Sequence, residues 1–205
     1  MRDGGRPSAH AWTARLGAAG VGGGLGEALG QFLALLERWA GAVDLVGRRD
    51  PEAIVREDVL AALCGVRFLP PAGRLLDVGS GNGFPAVPLL LAVPAMRGVL
   101  LEPRERRWAF LREVVRELEL SAEVRRERAA EHQGGPYEVM TVRGVGESAW
   151  VGEVGRLLGP GGTLLWWTGV AAARGAAAWP GGAVLTSTPL PAGQGVLVVW
   201  RRCFT

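Results

Sequence analysis

Lysine is missing from this chain of 205 residues, so all 23 of its basic residues are arginine. Asn82, Ile54 and Tyr137 are single occurrences of their types. This joint scarcity points to GC-rich codon usage rather than to selection for guanidinium chemistry. Cysteine and histidine are nearly as rare, at Cys64, Cys203, His10 and His132, too few and too unpatterned for a disulfide framework or a metal site. No apolar run approaches the roughly 18 residues of a membrane span. The longest, Ala86 to Met96, is interrupted by Pro88 and Pro94. The first 24 residues lack the continuous apolar core of a secretion signal, so a cytoplasmic protein with no membrane contact is expected. A net charge of only +3 excludes an extended basic surface written into the total. Residues 97–131 hold nine arginines against eight glutamates, which describes a solvated face of paired charges.

The length suits one domain with a substantial core. Residues 1–24 are rich in Gly and Ala and are expected to form a flexible tail. Leu29, Phe32, Leu33, Leu36 and Trp39 recur at helical spacing and predict a helix from Leu25 to about Ala40. Asp50 and Pro51 are an N-cap and first-turn proline for a second helix towards Leu63, burying Ile54, Val55, Val59 and Leu63. These helices make residues 25–70 an N-terminal cap on a core at 71–205. In that core strand and helix patterns alternate, as in a parallel sheet with right-handed crossovers. Strands are expected at 74–78, 98–102, 123–127, 138–142 and 163–167, with a closing antiparallel pair at 183–187 and 195–201. Helices are expected at 85–93, 104–119 and 147–158, the second buried through Trp108, Leu111, Val115 and Leu118. Residues 171–180 match no element, although their alanines are compatible with a helix. The fold class is α/β, a doubly wound and mostly parallel seven-stranded sheet.

The run from Leu75 to Leu89 concentrates the chemistry: an aliphatic strand ends in Asp77, glycines follow at 79, 81 and 83, and Pro85 starts a helix. Such a turn lets a ligand lie against bare backbone. Only one residue separates the second and third glycines, whereas the dinucleotide fingerprint has two, and no lysine is present to grip a phosphate. The arrangement reads as a site for S-adenosylmethionine, with Asp77, Gly79, Gly81, Gly83 and Phe84 lining it. The next strand ends in Glu102, nineteen residues beyond Gly83, well placed for a carboxylate to accept hydrogen bonds from both ribose hydroxyls. A charge starting the helix at Pro103 is the alternative role for Glu102.

The residues Gly83-Phe84-Pro85-Ala86-Val87-Pro88-Leu89 resemble the G-x-P-G-x-P-L signature of the bacterial small-subunit ribosomal RNA guanine-N7 methyltransferase G family, also called glucose-inhibited division protein B. The resemblance continues through Leu36-Glu37-Arg38-Trp39, Asp44-Leu45 and Arg49-Asp50-Pro51-Glu52 upstream, then Arg106-Arg107, Phe110-Leu111-Arg112 and Glu117-Leu118 downstream, covering about residues 30–200. It implies a class I methyltransferase fold and methyl transfer from S-adenosylmethionine to guanine N7 of 16S rRNA. The expected partner is that RNA or the small ribosomal subunit; no metal is expected, and a monomer is favoured although the sequence does not determine the oligomeric state. It also implies that Ala129 and Ala130, in the loop after the third strand, meet the adenine, a plain helix start being the alternative. Arg143 matches the arginine after strand four, beside cofactor and target base, where a guanidinium holds a carboxylate or phosphate bidentately; a structural salt bridge is the alternative. Guanine N7 offers an available lone pair, so catalysis is mainly alignment and no triad is expected. The lone thiols argue against cytosine C5 chemistry, and the N-P-P-[YF] run of exocyclic amine methylation is missing after strand four.

Departures from the family pattern cluster away from the glycine turn. Asp44-Leu45-Val46 stands for Asn-Leu-Thr, Asp58 for His, Ala61-Ala62 for Asp-Ser, Val142 for Ser, Thr168 for Lys, and Gln194-Gly195 for Glu-Arg. They leave two other readings open: a diverged methyltransferase for another RNA, a protein or a small molecule, and an inactive cofactor-binding module of the ribosome.

Overall fold

A computed structural model describes residues 8–40, 50–193 and 195–204. Asp44, Leu45, Val46, Arg49 and Gln194 lie outside the described residues. Seven strands form one sheet in the order β3-β2-β1-β4-β5-β7-β6. They are β1 (Gly73–Val78), β2 (Met96–Leu101), β3 (Ala122–Arg125), β4 (Tyr137–Arg143), β5 (Leu158–Thr168), β6 (Gly182–Pro189) and β7 (Val196–Arg202). The pairs β1–β2, β1–β4, β2–β3 and β4–β5 are parallel, and β7 runs antiparallel to both β5 and β6. Strand order reverses between β1 and β4, so the crevice of this α/β sheet opens beyond their carboxyl ends.

On one face lie the helices α1 (Ala9–Ala18), α2 (Gly23–Ala40), α3 (Pro51–Ala53), α4 (Leu60–Leu63), α5 (Ala86–Ala92) and α6 (Glu105–Glu117). Their apolar sides join Leu75, Leu100, Val139, Leu165 and Val199 in one buried cluster. The opposite face buries Leu76, Met140, Leu164, Val198 and Trp200 beneath Trp150 and Leu157. Asp50 caps α3 by accepting from Glu52 N and Ala53 N at 3.2 and 3.3 Å. The chain then passes through a π-helical segment, Ile54–Val59, into α4.

The structure differs from, or adds to, the sequence expectations in several places. Residues 9–18, expected within a flexible tail, form α1, with Ser8 as N-cap and Trp12 and Leu16 buried. The Trp12 indole N–H donates to Glu37 Oε2 at 3.2 Å, so the helix is held on α2. Two apolar residues spaced by four among small residues are enough, because α2 supplies the partner face. On α6 the buried stripe is Phe110, Leu111 and Val114, whereas Trp108, Val115 and Leu118 are half-buried at its edge. The Trp108 indole reaches over to Val124 O at 3.2 Å. The expected helix 147–158 is broken into the turns Glu147–Ala149 and Val151–Glu153 and a single helical turn, α7 (Val154–Leu157). Gly159-Pro160-Gly161-Gly162 lies within β5, where pairing jumps from Tyr137↔Leu158 to Val139↔Thr163. A bulge absorbs the extra residues. Residues 170–178 form a short helix, α8 (Val170–Ala173), and a 3₁₀ turn.

Candidate functional site

At the carboxyl ends of β1 and β2 the chain closes on itself through backbone hydrogen bonds. Gly79 N and Ser80 N both donate to Leu101 O at 2.9 Å, and Gly83 N donates to Ser80 O at 2.7 Å. Glycines 79, 81 and 83 have φ of 71°, 53° and 92°, the left-handed region. Their surroundings separate them into two kinds. A Cβ at Gly79 would fall 2.3 Å from Val145 Cγ2, and one at Gly83 would fall 2.9 Å from Val87 and 3.0 Å from Phe32, so both positions are tightly packed. A Cβ at Gly81 meets nothing nearer than Arg107 Nη1 at 3.6 Å and Glu102 Oε2 at 4.0 Å. Gly81 is therefore the one of the three where an added carbon would meet only ordinary contact distances, against Arg107, Gly79 O and Glu102.

Glu102 is 4% exposed, yet its carboxylate is well satisfied. Oε2 accepts from Gly81 N at 2.9 Å and Oε1 from Arg104 N at 2.8 Å. One bond goes to the turn and the other to the start of α6, where the helix-start role was expected. Each oxygen retains a second lone pair for a hydroxyl donor.

Asp77 lies beneath the turn, 1% exposed. Thr141 Oγ1 donates to its Oδ1 at 2.6 Å, and Ser80 Oγ donates to its main-chain oxygen at 3.2 Å. Oδ2 is buried with no partner among the described residues. Burial raises the carboxyl pKa to about 6, opposed by the Thr141 and Ser80 hydrogen bonds and reinforced by the nearby Glu102 charge. An orphaned buried carboxylate oxygen beneath a glycine turn is an acceptor that lacks a donor. Thr141 escaped the sequence reading, although a lone polar residue in the run Val-Met-Thr-Val was a signal that it served a buried group.

The remaining expected residues divide. Phe84 is not brought to the crevice: it is 4% exposed, and its ring packs edge-on against Phe32 at 5.2 Å in the core. Its role is to anchor the turn, because α2 provides an apolar socket that the local sequence does not reveal. Ala129 is buried and Ala130 exposed in the turn after β3, the strand whose last residue, Arg125, accepts from Glu102 N at 3.0 Å. Arg143 ends β4 and reaches back to the cap, donating from Nη2 to Glu57 O at 3.1 Å and Asp58 Oδ1 at 2.5 Å. Its Nη1 is buried and has no hydrogen-bond partner among the described residues. Trp167, at the end of β5, makes a parallel tether to Ala61 O at 2.7 Å. The cap is thus pinned over the carboxyl edge of β4 and β5. The open groove lined by Arg67, Tyr137, Gly159 and Arg201 lies near the amino-terminal ends of β4 and β5, away from these loops. Among the described residues no three His, Cys, Asp or Glu side chains gather as a metal would require. No described helix is long and apolar enough to cross a membrane.

The family model for rRNA small subunit methyltransferase G matches residues 26–178. A Ribosomal RNA small subunit methyltransferase G from Stenotrophomonas maltophilia (strain K279a) is 38% identical over 169 residues, covering 80% of this chain and 79% of that protein. Another, from Alkalilimnicola ehrlichii, is 35% identical over 202 residues, covering 95% and 91%. Among solved structures, the mitomycin 7-O-methyltransferase MmcR superimposes with a TM-score of 0.63 at 19% identity, covering 96% of this chain and 69% of that one. The putative methyltransferase yhhF from Escherichia coli gives 0.60 at 16% identity, covering 71% and 86%. These two likenesses concern the fold.

Proposed function

The chain belongs to the rRNA small subunit methyltransferase G family, and from that membership we propose that it is an S-adenosylmethionine-dependent enzyme that methylates guanine N7 in 16S rRNA. The observation that carries the reading is the buried Glu102 carboxylate on the Gly81 N–H, where the turn after β1 meets the carboxyl end of β2. When bound, S-adenosylmethionine supplies an electrophilic methyl group on a sulfonium sulfur. Glu102 accepts from the ribose hydroxyls with its remaining lone pairs. Gly81 leaves room for the ligand against the backbone, while Gly79, Gly83 and Phe84 hold the turn rigid from behind. Asp77 offers its unpartnered Oδ2 to the amino-acid portion. Ala129 and Ala130 flank the adenine through their backbone.

Guanine N7 carries no proton, so this chain needs no general base to prepare the nucleophile. Its contribution is orientation in a site closed by the cap. Arg143 supplies a fixed positive charge at that site through Nη1. The substrate is the RNA or the assembling small subunit, and residues 25–70 act as a cap on the catalytic core at 71–205.

A second reading rests on the Arg143–Asp58 pair. Asp58 stands where the resembled family has histidine, and its carboxylate neutralises the arginine expected beside the target base. A diverged acceptor, or a cofactor-binding module without chemistry, accommodates that neutralisation. Mass spectrometry of 16S rRNA nucleosides from cells with and without the gene tests the choice. Loss of one 7-methylguanosine with the gene supports the first reading; an unchanged nucleoside profile supports the second.

A further inference from the structure

We propose that Glu127, His132 and Tyr137 form a side-chain relay that positions the loop after β3, and that through this loop the protein selects the base of its bound nucleoside. The proposal deepens the cofactor reading above and rests on it. His132 is 5% exposed, with Nδ1 2.6 Å from Glu127 Oε1 and Nε2 2.7 Å from Tyr137 Oη. Tyr137 is 1% exposed, and burial raises its phenol pKa, so it remains an O–H donor. Donation from Tyr137 to Nε2 places the imidazole proton on Nδ1, where it donates to Glu127; this tautomer follows from the network.

The backbone is shaped around these bonds. A Cβ at Gly134 would lie 2.5 Å from His132 Nε2 and 2.7 Å from Tyr137 Oη, so only glycine lets the chain pass so close to the pair. Arg156 in α7 clasps the same loop, donating to His132 O at 2.6 Å and Ala129 O at 2.9 Å. Within the loop, Arg128 N donates to Glu131 Oε2 at 2.9 Å and His132 N to Arg128 O at 3.1 Å. Residues 128–132, within the connection from β3 to β4, are therefore held by side chains from β4, from α7 and from Glu127 just past β3.

Such a fixed loop matters because of its place. It follows β3, next to β2, whose end carries Glu102. With a ribose on Glu102 and the glycine turn on the β1 side, the base extends towards β3. A backbone edge held rigid there distinguishes a base that presents an amino group from one that presents a carbonyl, since a mismatch leaves a polar group unpaired. His132 is then a positioning residue, acting through residues 128–131.

The test is titration of the full chain with S-adenosylhomocysteine and with S-inosylhomocysteine, which carries a carbonyl in place of the amino group. Wild type is expected to prefer the adenosyl ligand by about tenfold or more, as polar recognition of a base edge gives. His132→Ala is expected to bring that ratio towards one, and His132→Gln, which keeps a donor and an acceptor, to restore part of it. Tyr137→Phe removes only the hydroxyl and carries the test where His132→Ala fails to fold. An unchanged ratio in a folded His132→Ala or Tyr137→Phe, even with both affinities lowered, overturns the proposal as does a wild type without preference. A folded wild type that binds neither ligand overturns the cofactor reading as well.

Discussion

Arg143 and Asp58, 85 positions apart in sequence, meet at 2.5 Å between Nη2 and Oδ1. The contact joins the tip of a parallel strand to the π-helical segment of the cap. Its side chains are only 27% and 18% exposed, so the charges are partly withdrawn from solvent. Arg143→Ala and Asp58→Ala should therefore be non-additive, with a coupling energy of about 1–3 kcal/mol in a double-mutant cycle read by urea denaturation. Zero coupling makes the pair an incidental surface contact.

Arg143→Ala should also slow single-turnover methylation of unmodified 16S rRNA more than it weakens S-adenosylhomocysteine binding. The motivating feature is the buried Nη1, left over after the cap has been tied down. Full single-turnover rate in the variant assigns Arg143 to cap docking alone.

Glycines 81 and 83 should behave differently when each is replaced by alanine. At Gly83 the new methyl strikes Val87 and Phe32, so the thermal midpoint should drop by several degrees. At Gly81 the methyl finds space in the protein, with a backbone cost of about 1–2 kcal/mol for φ of 53°. Gly81→Val should abolish S-adenosylhomocysteine binding in calorimetry while the chain remains folded by circular dichroism. Tight binding by that variant places the ligand elsewhere.

Glu102→Ala should weaken S-adenosylhomocysteine by about 1–3 kcal/mol, the cost of hydrogen bonds to a charged acceptor. The variant also releases Gly81 N and Arg104 N, so a small loss of stability accompanies it. An unchanged dissociation constant restricts Glu102 to joining the turn with α6.

Asp77 makes a prediction in pH. Its folded-state pKa of about 6 lies above the ordinary carboxyl value of 3.8, chiefly through burial, so the folded protein binds this proton more tightly than the unfolded chain. The ionised group therefore costs stability at neutral pH, and the cost disappears as pH falls through about 6 towards 4. Asp77→Asn, which keeps an acceptor for Thr141, should raise stability by about 1–3 kcal/mol at pH 8 and much less at pH 4.5. The same variant should bind S-adenosylhomocysteine more weakly. A stability gain that does not depend on pH removes the ionisation argument.

The sequence alone carried the features whose causes are local. Alternating strand and helix periods through residue 143, the Asp50-Pro51 helix start and the three glycines are decided by backbone sterics within a few residues, and there the structure follows the reading. Glu102 was legible because β2 must end beside β1 in a right-handed crossover, whatever else surrounds it. Tertiary structure decided the rest. Residues 9–18 became a helix only because α2 presents a face for Trp12 and Leu16, and Phe84 turned inward because Phe32 waits there. Three glycines with the same φ sign sit in two different surroundings, tight against Val145 and Phe32 at 79 and 83 and looser against Arg107 and Glu102 at 81. Arg143 met Asp58, and Thr141 met Asp77, through strand order and cap docking, which no periodicity encodes. Hydrogen bonds and packing act over a few ångströms of space, while a sequence pattern reports only on neighbours along the chain.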